Sequence, residues 1–499
     1  MAEGPEQTTT APSTKRAKDP AQPEERAAHD DQVSTRHTLT IGSRTLRYTA
    51  TTGRVVLRQE SKDEAGAFTG FQPKAEIFVT SYVVAPRKGQ NRPVVFAFNG
   101  GPGSSSVWLH LGLLGPRRVD SGDVGALTPP PYALVDNPET LLAVADLVFI
   151  DPVSTGFSRP VDGEKAADFH GFTADLESVG EVIRLWTTRH NRWLSPKFLA
   201  GESYGTTRAA ALAAYLQSTY ALTLNGLILL SCALDFGTLD FDFHNDRACA
   251  GFLPTYAATA HYHGLHGRRT LRSVLAQARE YAEGDYLLAL SRGHRLPAAQ
   301  RRAHAERIAG LIGVSADWVE RAGLRIEHQR YYTELLRAQG LVVGRLDTRF
   351  TGPASMGSPE VAGEDPSYSA ISGAYSAAWN HYVRAELEYE SDVPYTQLSF
   401  AANAEWSFKE FVGKPIDVTG QLAEVIRSNP HLRVHVAYGY YDGATPFAGV
   451  EDSLAHLDVP STAMIEEAYY EAGHMMYVHE PSRQQQSADL AAFITRTSA

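Results

Sequence analysis

Cysteine is nearly missing: in 499 residues only Cys232 and Cys249 occur. Two thiols make no metal cluster, and one disulfide is thin bracing for so long a chain. They read as free, buried thiols in a reducing compartment. The opening, M-A-E-G-P-E-Q-T-T-T, lacks the basic segment and apolar run of a secretory leader, so a cytoplasmic location is expected. No run of about 18 apolar residues occurs, which argues against a membrane-spanning helix. H-E-x-x-H, calcium-loop and paired-cysteine patterns are absent. So are G-x-x-x-x-G-K-[ST] and a G-x-G-x-x-G after the first strand, and no metal or cofactor is expected. Positive charge is in deficit as well: 46 Lys and Arg against 57 Asp and Glu give a formal net charge of -11, which disfavours nucleic acid as an unspecific partner.

What is present reads as ordinary globular protein, with 43% hydrophobic and 21% charged residues. Residues 1–32 are polar and rich in Pro, Thr and Ala, too poor in apolar surface to order, and read as a disordered tail. Alternation over residues 36–41, 45–57 and 75–84 predicts antiparallel strands, with Gly53 marking a turn or bulge. Short apolar runs at 93–98, 145–150, 198–200 and 222–230, with a helical spacing of Phe172, Leu176, Val179, Ile183 and Trp186, give a parallel β/α rhythm. That rhythm stops near residue 234. Residues 235–397 are helical in pattern, including segments 269–286, 297–312 and 316–338. They read as a cap over the sheet, or else as an independent helical domain. Sheet pattern resumes at 432–438 and 463–470, and a last helix is expected over 482–495. The expected division is a tail (1–32), a core in two parts (33–234 and 398–499) and a mainly helical insertion (235–397).

The most informative stretch is K-F-L-A-G-E-S-Y-G-T-T-R-A-A at 197–210. A short apolar strand, G-E-S-Y-G and an alanine-rich helix in that order suit a nucleophile elbow, with Gly201 and Gly205 leaving room for a strained turn that presents Ser203. Candidates for the acid and base follow as Asp442 and His474, each just past a strand and beside a glycine. The order Ser203, Asp442, His474 is that of an α/β-hydrolase fold, with a mixed, mostly parallel sheet and the large helical insertion as its cap. Rivals are His435, within a strand, His479, close after His474, and Asp458, after a helix. N-G-G-P-G-S-S-S at 99–106 follows an early strand. Its glycines either hold N–H groups against a ligand or make a structural turn. In the first case the amides of Gly101 and Tyr204 would form the oxyanion hole.

Together N-G-G-P-G-S-S-S (99–106), D-P-V-S-T-G-F-S (151–158), G-E-S-Y-G (201–205), Y-D-G-A-T-P (441–446) and A-G-H-M (472–475) resemble the serine carboxypeptidase family over residues 76–481. The resemblance implies removal of C-terminal residues from peptides through an acyl-enzyme, often at acidic pH. It implies Ser203, Asp442 and His474 as triad and Gly101 and Tyr204 as oxyanion donors. It also implies Asn99, Gly100 and Glu202 as the group that recognises the free C-terminal carboxylate of a peptide substrate. Met475 also matches the family. Two positions depart from its usual pattern: Leu113 stands where an acidic residue of E-L-G-P is usual, and Ser104 where a cysteine is common. The chain looks like a bacterial-type branch. An esterase or acyltransferase with the same triad, and a non-catalytic binding protein retaining the fold, are the alternatives.

Overall fold

A computed structural model describes residues 28–85, 91–355 and 363–498. Residues 1–27 of the expected tail lie outside the described residues, and the first strand begins at Asp31. Among the described residues nine strands make the path of the central sheet. They are β1 (Asp31–Ile41), β2 (Arg44–Lys62), β3 (Phe68–Val84), β4 (Val94–Phe98), β5 (Asp146–Ile150), β6 (Lys197–Ser203), β7 (Gly226–Cys232), β8 (Arg433–Gly439) and β9 (Ile465–Tyr470). Their spatial order is β1-β2-β3-β5-β4-β6-β7-β8-β9, and the short strand Arg159–Pro160 pairs with β3. The flank through β1, β2, β3 and β5 is antiparallel, and every pairing from β5 to β9 is parallel.

The apolar runs explain this placement. Every residue of β4 and β7 is buried, as strands covered on both faces require. Alternate side chains feed two cores. Val94, Phe96, Leu199 and Leu227 pack on one face against α1 (Phe172–Arg189) and α2 (Tyr204–Tyr220). Val95, Ala97, Phe198 and Ile228 pack on the other with Leu109, Leu113 and Trp379. Gly53 makes neither turn nor bulge: it stays in β2, paired with both Gln32 and Val79. A Cβ there would fall 2.0 Å from the Asp31 carbonyl oxygen, so the glycine permits a close approach of β1.

Between β7 and β8 the chain is mainly helical. It includes α3 (Asp246–Tyr262), α4 (Leu271–Tyr281) and α5 (Ala298–Ile312), which share their own apolar cluster. A later helix, α6 (Pro366–Ala385), instead packs Ile371, Trp379 and Tyr382 against the sheet's second core. The single helix expected over 316–338 is two, Ala316–Arg321 and His328–Glu334. Gly323 and Leu324 both take positive φ (66° and 64°), which no right-handed helix continues through. The last elements are α7 (Phe447–Ala455) and α8 (Glu480–Thr497). Among the described residues no helix is long and apolar enough to cross a membrane.

One buried cation joins the pieces that matter. Arg208 of α2 has no exposed side-chain surface, and its Nε donates to Asp175 Oδ2 on α1 at 2.7 Å. A terminal nitrogen donates to the Asn99 carbonyl oxygen at 2.7 Å, and the guanidinium lies over the rings of Phe98 and Tyr204. Arg208→Met is expected to lower unfolding stability by about 3–5 kcal/mol, because the Asp175 carboxylate is left buried and unpaired. Adding Asp175→Leu should recover part of the loss in denaturant unfolding. An unchanged midpoint in the single variant would remove this pair from the supports of the fold.

Candidate active site

Four loops meet at the carboxyl ends of the parallel strands, where open α/β sheets hold their ligands. They lie at or just past the ends of β4, β6, β8 and β9 and carry Asn99, Ser203, Asp442 and His474. Ser203 ends β6 with φ of 61° and ψ of -131°, a strained conformation for a residue with a side chain. A register shift between Glu202 and Ser203 marks the sharp exit from the sheet. Gly201 has no room for a side chain, since a Cβ would lie 2.1 Å from the Gly205 carbonyl oxygen. The start of α2 is stitched to the end of β7: Thr206 Oγ1 donates to the Ser203 carbonyl oxygen at 2.7 Å and accepts from the Ala233 amide at 2.8 Å.

Gly100 brings the glycine-rich loop against this elbow. A Cβ on it would fall 2.4 Å from the Tyr204 nitrogen, so loop backbone and helix start are in contact. Tyr204 opens α2, and its amide is one of the first four that lack an acceptor within the helix. Gly101 follows with φ of 102°. Ser203, His474, Asn99, Gly100, Gly101 and Glu202 line one cavity of about 350 Å³.

His474 is set from two sides. Its amide donates to the Leu346 carbonyl oxygen at 2.6 Å, and its carbonyl oxygen accepts from Ser231 Oγ at 2.5 Å. Its Nδ1 lies 2.8 Å from Asp442 Oδ2. Asp442 is buried and held by the amides of Ala444 and Thr445 at 2.8 and 2.9 Å and by Thr445 Oγ1 at 2.7 Å. With Nδ1 committed to Asp442, Nε2 is the nitrogen left for proton exchange. Burial pulls the imidazole's pKa down, but the charge and hydrogen bond of Asp442, helped by Glu202, outweigh it and the pKa is raised.

Glu202 is buried beside this pair. Its Oε1 accepts from Asn99 Nδ2 at 2.8 Å, while Asn99 Oδ1 accepts from the Leu109 amide at 3.1 Å. Burial pushes the carboxyl up to about 7, against the opposing pull of His474. Its second oxygen makes no hydrogen bond of good geometry, nor does the Tyr477 hydroxyl, yet the two are close enough to bias each other's ionisation. Leu113 is buried in the apolar core, in the turn His110–Leu114, and its carbonyl oxygen accepts from Asn137 Nδ2. The space left by the neighbouring Gly112 is filled by the Tyr477 ring and the Tyr375 hydroxyl.

The rival residues lie elsewhere in role. His435 Nδ1 is 2.6 Å from Glu466, His479 pairs with Ser482 at 2.8 Å, and Asp458 caps the helix Val459–Thr462. Sequence reasoning missed Tyr375, Tyr477 and the wall residues Trp108, Arg345, Tyr368 and Phe400. Tyr477 had a signal in its place three residues after His474. The others had none. Among the described residues no group of three or more His, Cys, Asp or Glu is placed to hold a metal ion.

This arrangement can remove the proton of a serine and hold an oxyanion with main-chain donors. A serine-directed fluorophosphonate is expected to label the protein at Ser203 and to leave Ser203→Ala unlabelled, read by intact mass. Asp442→Asn should slow labelling by about 10⁴, since the imidazole loses its orienting acceptor. Equal labelling of Ser203→Ala, or none of correctly folded wild type, contradicts the arrangement.

The family sequence profile described as serine carboxypeptidase matches residues 72–495. The lysosomal protective protein of Mus musculus is 28% identical over 39% of this chain and 36% of its own length. Serine carboxypeptidase-like 9 of Arabidopsis thaliana is 27% identical over 27% of this chain and 30% of its own. These matches span about a third of the length of the curated relatives. Among solved structures, a soluble variant of monoglyceride lipase from Saccharomyces cerevisiae aligns over 92% of this chain and 98% of its own, at 10% identity and a TM-score of 0.38. With the profile covering most of its length, the chain belongs to the serine carboxypeptidase family and has the α/β-hydrolase fold.

Proposed function

We propose that the protein is a serine carboxypeptidase acting on peptides with a free C-terminal carboxylate. The observation that carries the reading is Glu202: a buried carboxyl pushed up to about 7, bonded to Asn99, in the same cavity as Ser203 and His474. A protonated carboxyl donates a hydrogen bond to a carboxylate, whereas an ionised one repels it. The peptide's terminus is held by Asn99, Glu202 and the Gly100 backbone. Ser203 Oγ attacks the last peptide carbonyl while His474 Nε2 takes its proton. The amides of Gly101 and Tyr204 stabilise the oxyanion. His474 then protonates the leaving amine, and water, activated by the same imidazole, releases the acyl group. The helical segment between β7 and β8 serves as a cap, a reading supported by Arg345, Leu346 and Tyr368 in the cavity wall.

Below about pH 7 Glu202 is protonated and receptive, and as pH rises through that value it ionises and repels the substrate. For peptides with a free terminus, kcat/KM is therefore expected to fall above neutrality. Glu202→Gln keeps a donor and cannot ionise. It should abolish the alkaline fall and leave an acid limb set by His474 alone, since Glu202 is already neutral over that range. Amidating the terminus should cost wild type about 10- to 100-fold in kcat/KM, the worth of a charged hydrogen bond. Hydrolysis of simple esters with no dependence on a free carboxylate would favour an esterase or acyltransferase instead.

We infer further that this is a bacterial-type, disulfide-free member made in the cytoplasm. Cys232 and Cys249 are both free and buried, and Ser104 stands where many relatives have cysteine. Fractionation of the native host tests this, and recovery of the protein outside the cytoplasm overturns it.

A further inference from the structure

Among the described residues lining the cavity, Arg345 is the one permanent cation. Its side chain is exposed and makes no hydrogen bond or ion pair among the described residues. Its charge is nevertheless felt at His474, His328 and Tyr332, the groups that face it. Glu327, beside His328, makes no ion pair with it: that carboxylate accepts the amides of Gln329 and Arg330 at 2.9 Å each and lies against His328. Among the described residues it is therefore a cation in the cavity wall left open to a partner that arrives with the ligand.

The backbone under Arg345 is fixed. Asp365 accepts the amides of Arg345 and Leu346 at 3.0 Å each, and the Leu346 carbonyl oxygen accepts the His474 amide. The Arg345 carbonyl packs against Gly443, where a Cβ would fall 2.8 Å away. The cation is thus carried on a loop that is joined to both the base and the acid turn. Trp108, Tyr368 and Phe400 line the same cavity with apolar surface, and a charge in a cleft with low-dielectric walls acts more strongly than on open surface.

We propose that Arg345 is a specificity determinant that selects peptides with a carboxylate side chain beside the scissile bond. The guanidinium fork matches a carboxylate bidentately, a geometry that an amide of the same shape does not reward. This rests on the carboxypeptidase reading above. The test uses four N-blocked dipeptides with free termini, Glu or Gln at the penultimate and at the last position, with wild type, Arg345→Gln and Arg345→Lys. Wild type is expected to cleave one Glu peptide about tenfold better than its Gln partner, the ratio shrinking as salt is raised. The position that shows the preference assigns the acyl or leaving side. In Arg345→Gln the Glu/Gln ratio should fall to about one, and Arg345→Lys should keep part of it. Cleavage of all four by wild type without a Glu/Gln difference overturns this inference alone. So does an equal slowing of Glu and Gln peptides in Arg345→Gln. Release of no amino acid from any of the four overturns the carboxypeptidase reading and this one with it.

Discussion

The buried Arg208 guanidinium is the tie on which the site's geometry depends. It sits one turn into the helix that follows Ser203, yet its partners are on other segments: Asp175 on the preceding helix and the Asn99 carbonyl in the glycine-rich loop. A loop as rich in glycine as N-G-G-P-G has many conformations to lose, and an elbow with positive φ at Ser203 is strained. Both are made unique by one cation that cannot be solvated and must keep its acceptors. Because Asn99 is held through its main chain, its side chain is free to face Glu202 and the Leu109 amide. Desolvating a charge is costly, and such a pair is a better device for specifying one arrangement than for adding net stability.

Glu202 and His474 are the second constraint, and they act on each other. Each lies within the other's field, so an ionised Glu202 raises the imidazole and a protonated imidazole lowers the carboxyl. The state with a protonated Glu202 and neutral His474 has the same proton count as the state with an ionised Glu202 and charged His474. The pair titrates as a unit with apparent values belonging to both. Where a second carboxyl is usual in the family, the chain has Leu113 in the core. The raised Glu202 therefore owes its shift to burial first, with Tyr477 and Tyr375 as its aromatic neighbours.

Much of this was legible because it is local. The elbow, the glycine-rich loop and the Asp442 and His474 turns are each written in a few adjacent residues, at the ends of short apolar strands. The α1 helix was readable from five buried side chains at helical spacing. What escaped depends on meetings between distant segments. Tyr375, Arg345 and Phe400 reach the cavity region from the helix α6, a loop and the short helix Phe400–Ala404, with no spacing relation to Ser203. Arg208 stood in plain view beside the elbow, but its role needs an acid 33 residues earlier. Gly53 looked like a break and is a site of close strand approach, and the helix break at Gly323 and Leu324 hides in a sequence of good helix formers. The turn there is closed by the helix's own carbonyls, the Gly323 amide donating to Glu320 and the Leu324 amide to Val319.

The helical segment is coupled to the chemistry more tightly than a hinged lid would be. Leu346 accepts the His474 amide, Thr348 donates its amide to the Tyr441 carbonyl, and the Tyr332 hydroxyl donates to the Gly443 carbonyl at 2.5 Å. Asp347 is closed in an ion pair with Arg349, whose terminal nitrogen donates to the Glu471 carbonyl three residues before His474. Moving this part of the segment would break bonds to both the base and the acid turn, so substrate selection and proton transfer share one rigid frame. Selectivity can then change by replacing side chains on that frame, such as Arg345, without loosening the imidazole. The cost is that substitutions in the backbone-holding residues Asp365, Asp347 and Tyr332 reach the triad although none of them belongs to it.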